Sequence, residues 1–137
     1  MRVGLRVVKR VMTRTTGEIL LVIDREPPPT YNAVRSMHWA DQYKLKELWK
    51  SEVALAALKA RRPRFKRARV QIVLLYAQRR RRDPDNLMAV AGKYLLDGLR
   101  YAGVIPDDDV ATVEVPEIVV EIDKANPRVE ITLTELI

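Results

Sequence analysis

The stretch Ala68-Arg69-Val70-Gln71-Ile72-Val73-Leu74-Leu75-Tyr76 runs through Ala77-Gln78 into Arg79-Arg80-Arg81-Arg82-Asp83-Pro84-Asp85-Asn86-Leu87, and its reading decides the fold. Val70 and Ile72 to Leu75 make a short, nearly continuous apolar run, the pattern of a strand buried on both faces. Asp83 and Pro84 then suit the start of a helix. An aspartate can cap the first free N–H groups, and proline has no N–H to lose at the first helical position. Leu87, Val90, Ala91, Tyr94, Leu95, Leu99 and Ala102 recur at helical spacing, and Gly103 suits the left-handed residue that closes a helix. A buried strand therefore feeds a helix through a junction that carries both signs of charge.

Working back toward the start, Leu45, Leu48, Trp49, Val53, Ala56 and Ala57 predict an earlier helix over about residues 40–60 that ends at Arg62-Pro63. Before it lies Pro27-Pro28-Pro29, which cannot continue a hydrogen-bonded ladder, with a loop through Tyr31 and Asn32. That loop follows an apolar strand, Ile19 to Ile23. Val3, Leu5 and Val7 alternate with Arg2, Gly4 and Arg6, so residues 1–17 read as an N-terminal strand or hairpin extension turning at Thr15-Thr16-Gly17. Toward the other end, Ile105-Pro106-Asp107-Asp108-Asp109 predicts a loop before a strand around 112–122. Asn126-Pro127 marks a turn, and Val129, Ile131 and Leu133 face one way along a last strand. The sum is a single α+β domain with a mixed β-sheet framework and two principal helices.

Composition narrows the function. A chain of 137 residues with 47% hydrophobic content can bury a core. No apolar run is long enough to span a bilayer, and the start lacks the apolar centre of a signal peptide, so no membrane association and a cytoplasmic location are expected. With no cysteine and a lone His38, thiolate and multi-histidine metal sites and cysteine nucleophiles are excluded. The net charge of +7 suits a polyanionic partner. Arg61, Arg62, Arg64, Lys66, Arg67 and Arg69 form one basic cluster, and Arg79 to Arg82 an unbroken second one. A solvated face is the plain reading of such runs, but the second abuts Asp83 and Asp85.

Phosphodiester hydrolysis needs charge neutralised on the phosphate, an activated water and a stabilised leaving alkoxide. A divalent cation such as Mg²⁺ held by a few carboxylates supplies all three. Asp83 and Asp85 stand two apart at the strand-to-helix junction. Asp108 lies on a separate loop that the returning chain could bring alongside them. The plain alternatives are a helix cap for Asp83 and a solvated turn for Asp107 to Asp109. His38-Trp39 offers a functional pair near the substrate, against the favoured structural reading in which Trp39 packs the first long helix and His38 lies at the surface or caps it. Asn32 serves either the proline loop or DNA. Asp97 reads either as a carboxylate that supports the metal ligands from behind or as a partner on the helix surface for Lys93, four residues earlier, and stays outside the catalytic set.

These pieces carry a resemblance. Arg79-Arg80-Arg81-Arg82-Asp83-Pro84-Asp85-Asn86-Leu87, then Leu96-Asp97-Gly98-Leu99, then Gly103-Val104-Ile105-Pro106-Asp107-Asp108 resembles the signature of the RusA-like Holliday-junction resolvases in order and spacing. The similarity runs from the strand at Ile19 to the last strand, Arg128 to Glu135. It implies a homodimeric endonuclease of DNA recombination and repair, in a bacterial cell or encoded by its phage. Such an enzyme binds four-way DNA junctions and nicks paired strands with Mg²⁺ or Mn²⁺. It implies catalytic, metal-binding roles for Asp83, Asp85 and Asp108, and phosphate contacts by Arg79, Arg80, Arg81 and Arg82, with Asn32, Arg67 and Arg69 as further DNA-binding candidates. It also implies a catalytic lysine on the helix. One turn after Asp85 stands Ala89, whereas counting back from Asp97-Gly98-Leu99 selects Lys93, about 12 Å beyond Asp85 on a straight helix. A two-fold dimer would match the two opposed incisions that a junction requires. The alternatives are a nuclease of the same chemistry that cuts flaps or forks, and a non-catalytic DNA-binding accessory of recombination.

Overall fold

A computed structural model describes residues 17–136 of the chain, apart from the side chain of Val115. The expected N-terminal strand falls on residues outside that range; Gly17 alone of its turn is seen, with φ at +88°. Four strands, β1 (Glu18–Ile23), β2 (Ala68–Tyr76), β3 (Val113–Ile122) and β4 (Arg128–Glu135), form one sheet among the described residues, in the order β1-β4-β2-β3. β4 is antiparallel to both β1 and β2, whereas β2 and β3 are parallel, so the sheet is mixed.

The helical part comprises a short α1 (Tyr31–Val34), the long α2 (Trp39–Lys59), and a second long helix built of α3 (Pro84–Leu87), a π-helical turn (Met88–Gly92) and α4 (Lys93–Tyr101). The chain is thus an α+β domain with two principal helices. Each stretch forms for a local reason. The last helix ends at Gly103, whose φ of +78° suits a residue without Cβ. α2 ends in two left-handed residues, Arg61 and Arg62, and the Arg62 N–H donates back to Ala57 O at 2.7 Å. β3 carries one residue more than β2 between Arg69 and Gln71, and Pro116 lies in that bulge, where its missing N–H costs no ladder bond.

Both long helices cover one face of the sheet. Trp49, Val53, Ala56 and Ala57 of α2 meet Leu95 and Leu99 of α4 and, from the sheet, Leu21, Ile23, Ile72, Leu74, Ile131 and Leu133 in one buried cluster. At the crossing of α2 and α4, Gly98 leaves so little room that a Cβ there would stand 2.8 Å from Val53 Cβ and Cγ2. β2 is buried on its other face too, at Val73 and Leu75, as its apolar run predicts. The opposite face of β4 buries Arg128, whose guanidinium donates to Glu130 at 2.9 Å and Asp123 at 3.0 Å. Trp39 departs from its expected role. It is 74% exposed, because the inward stripe of α2 begins further along, at Leu45 and Trp49. His38 does cap the helix: its Nδ1 accepts the Ala40 N–H at 3.2 Å.

Candidate nuclease site

β2 delivers the arginine run to one end of the sheet, and the helix then carries the aspartates and Lys93 back along it. Asp83 occupies the N-cap position with Pro84 after it, but its side chain makes no capping bond. Its carboxylate is approached instead by the Asn86 side chain, at 3.5 Å. Asp83 and Asp85 are both exposed. α1, anchored by the buried Val34, packs against α3 and the π-turn, which puts the exposed Asn32 on the element beside the aspartate pair.

The run of three aspartates divides by role. Asp107 accepts the N–H of Asp108 at 2.7 Å, and Asp109 accepts the N–H of Thr112 at 3.0 Å, so both carboxylates hold their own loop. The Asp108 carboxylate is half-buried and stands 3.9 Å from Lys93 Nζ. Lys93 also reaches Asp97 at 3.4 Å, and Arg100 approaches Asp97 at 3.9 Å. Two loop- and helix-borne residues singled out by the resemblance, Lys93 and Asp108, thus meet across fifteen positions of chain. Asp97, the helix partner that the sequence offered for Lys93, is the third member of that group.

The two halves of the acidic set are not in contact. No hydrogen bond or ion pair among the described residues joins Asp108 to Asp83 or Asp85, and no three acidic or histidine side chains there converge as a ready metal cage. The donor chemistry, carboxylate oxygens alone, suits a hard cation such as Mg²⁺ that keeps several waters. The π-turn bears on their alignment. Lys93 donates its N–H to Met88 O, five residues back, so one residue is absorbed without advancing the helix face.

The arginines are not equivalent. The Arg82 guanidinium lies over the Tyr76 ring, 3.7 Å from its centre, and donates to the carbonyls of Gln78 at 3.2 Å and Arg80 at 3.3 Å. Arg80 donates to Gln78 Oε1 at 2.7 Å. Arg79 and Arg81 are exposed and make no hydrogen bond or ion pair among the described residues. Of the other basic candidates, Arg69 pairs with Glu114 at 2.8 Å and Arg67 donates to Ala111 O at 3.2 Å. The hydrogen bond from Arg69 holds the Glu114 carboxyl below its ordinary range.

Tyr76 is the residue that sequence reading passed over. Burial pushes its phenol up to about 12, against the pull of the Arg82 charge, and its hydroxyl donates to Pro28 O at 3.0 Å. It looked like the end of an apolar strand, and nothing in the pattern marked it as a platform for Arg82. No helix among the described residues is long and apolar enough to cross a membrane. The chain's sequence matches neither the models of known protein families nor any curated protein.

Proposed function

We propose that this chain is a divalent-metal-dependent endodeoxyribonuclease acting on branched DNA, of the RusA type of Holliday-junction resolvase. The observation that carries the proposal is the meeting of Lys93 with Asp108, while Asp107 and Asp109 are spent on their own loop. An ammonium and a carboxylate brought together from helix and loop, in a protein of net charge +7, suit a site for a phosphate and its counter-cation. Asp83, Asp85 and Asp108 are the carboxylates that would hold Mg²⁺ or Mn²⁺. The bound cation would supply neutralisation of the scissile phosphate and a more acidic water. Lys93 would take up negative charge on the phosphate beside Asp108. Arg79 and Arg81, with no hydrogen bond or ion pair among the described residues, would grip the DNA backbone and make binding steeply salt-dependent. Two such sites in a homodimer would serve the paired incisions.

A second reading is a DNA-binding accessory without cleavage, favoured by the lack of any contact among the described residues between Asp108 and the pair Asp83 and Asp85. Incubating a synthetic four-way junction with the protein, with and without Mg²⁺, separates the two. Metal-dependent nicking that Asp85→Asn removes while leaving binding intact supports the nuclease. Binding without nicking at any Mg²⁺ or Mn²⁺ concentration supports the accessory. Flap and linear substrates in the same assay give the structural preference.

A further inference from the structure

Behind the arginine run lies a cavity of about 620 Å³, walled by Pro27, Pro29 and Ala33 on one side and by Tyr76, Arg81 and Arg82 on the other. Its volume falls in the range of about 300–1,000 Å³ that suits a small planar ligand. Its walls are chemically mixed. The proline rings are apolar, the Tyr76 ring is apolar and flat, and the Arg82 guanidinium is already stacked on that tyrosine. Stacks of this kind receive nucleobases, because every base has a π-face and a guanidinium plane adds charge attraction. Arg81, with no hydrogen bond or ion pair among the described residues, stands at the wall and can meet a phosphate. Glu26 lines the cavity as well; its carboxylate accepts the Ala77 N–H at 3.3 Å, fixing it as an acceptor for base N–H groups.

We propose that this cavity receives one unstacked nucleotide of the bound DNA strand, its base against the Tyr76–Arg82 stack and the proline walls and its phosphate on Arg81. This rests on the branched-DNA reading above and names a subsite within it. A base inside a duplex cannot enter such a slot. A nucleotide at a branch point has already lost part of its stacking and is the cheapest to extrude. The cavity therefore contributes to choosing branched over linear DNA, apart from the charge of the arginines. Arg82 leads directly into Asp83, so a nucleotide held here fixes the strand's register close to the aspartate pair.

The test measures binding of a fluorescent four-way junction by anisotropy, in EDTA so that no cleavage intervenes. A single abasic site is stepped through each strand across the branch. Loss of the one base that fills the cavity should weaken binding about tenfold, the scale of a base–aromatic stack, at one position near the branch. Ala33→Trp provides the second arm. Ala33 is exposed on α1 and lines the cavity, so an indole there fills the slot without entering the core. That variant should melt as the parent does, bind the intact junction about tenfold more weakly, and be indifferent to the abasic position. Tight binding by the parent with a flat abasic series would overturn the subsite while leaving the DNA reading in place. Unchanged binding by Ala33→Trp would overturn it likewise. Failure to bind any junction would instead remove the branched-DNA reading, and the subsite with it.

Discussion

Deleting Ala89 asks what the π-turn does. On an α-helix each residue turns about 100° and rises about 1.5 Å. Eight regular steps from Asp85 to Lys93 total about 800°, which would leave Lys93 about 80° off the face of Asp85. The Lys93 N–H to Met88 O bond absorbs one residue, so the effective count is about seven steps, or about 700°, within about 20° of two full turns. Removing the exposed Ala89 leaves seven regular steps and the same alignment. The flanking residues then close ordinary α-helical bonds, worth about 1 kcal/mol for each one regained. The expected variant is as stable as the parent or more so, keeps Lys93 beside Asp108, and nicks junctions at a comparable rate. Inserting an alanine next to Ala89 does the opposite: it turns Asp83 and Asp85 by about 100° from Lys93. Nicking should then fall by about a hundredfold, the scale of a misplacement of about 1 Å among reacting groups. Urea denaturation of both variants and single-turnover junction nicking in Mg²⁺ read the result. A deletion variant that folds normally but does not nick, or an insertion variant that nicks at the parent rate, would refute the alignment argument.

Other changes probe the site and its frame. Lys93→Ala should lower nicking while the junction still binds; equal activity would remove Lys93 from the mechanism. Arg81→Ala should shift the salt dependence of junction binding by about one counterion, whereas Arg82→Ala, which strips the Tyr76 ring of its cover, should show first as lost thermal stability. Gly98→Ala puts a Cβ 2.8 Å from the rigid, buried Val53, so overpacking of about 1–3 kcal/mol should outweigh the helix-propensity gain of about 1 kcal/mol. Adding Val53→Ala should relieve the clash, and denaturation midpoints of the two variants check it. Tyr76 should make stability fall at alkaline pH. Its phenol keeps the proton to about 12 in the folded chain against 10.0 as the ordinary value. The unfolded state therefore releases it first, and stability is lost as pH rises between those two values. Tyr76→Phe should lose that slope.

Much of the frame was legible because it rests on local patterns. The apolar run of β2, the Asp83-Pro84 start, the Gly103 stop and the inward stripe from Leu87 to Leu99 each follow from backbone chemistry or burial period. The π-turn was not legible: the stripe 87, 90, 91, 94, 95, 99 fits a regular helix, and the surplus residue is absorbed on the exposed side at Ala89. Trp39 misled because size suggests burial, while its place in the first turn of α2 precedes the core-facing stripe. The four arginines look alike in sequence, and the position of the Tyr76 ring separates a fixed Arg82 from an Arg81 that makes no hydrogen bond or ion pair among the described residues. Asp108 could be chosen from its run by resemblance. That its carboxylate faces Lys93 depends on two turns of loop hydrogen bonding, at Asp107 and Asp109, that no spacing rule encodes.

The order of the sheet has a consequence for how the protein is made. β4, the last of the described strands in sequence, lies between β1 and β2 and is hydrogen-bonded to both. Until residues 128–135 have left the ribosome, β1 has no described neighbour and β2 has only the parallel β3. Leu21, Ile23, Ile72 and Leu74 meanwhile wait without Val129, Ile131 and Leu133 to pack beside. Nascent chains halted before Arg128 are thus expected to stay sensitive to protease and to expose a sticky apolar face. The fold closes in one late step, when the strand that everything else was waiting for slides into the middle.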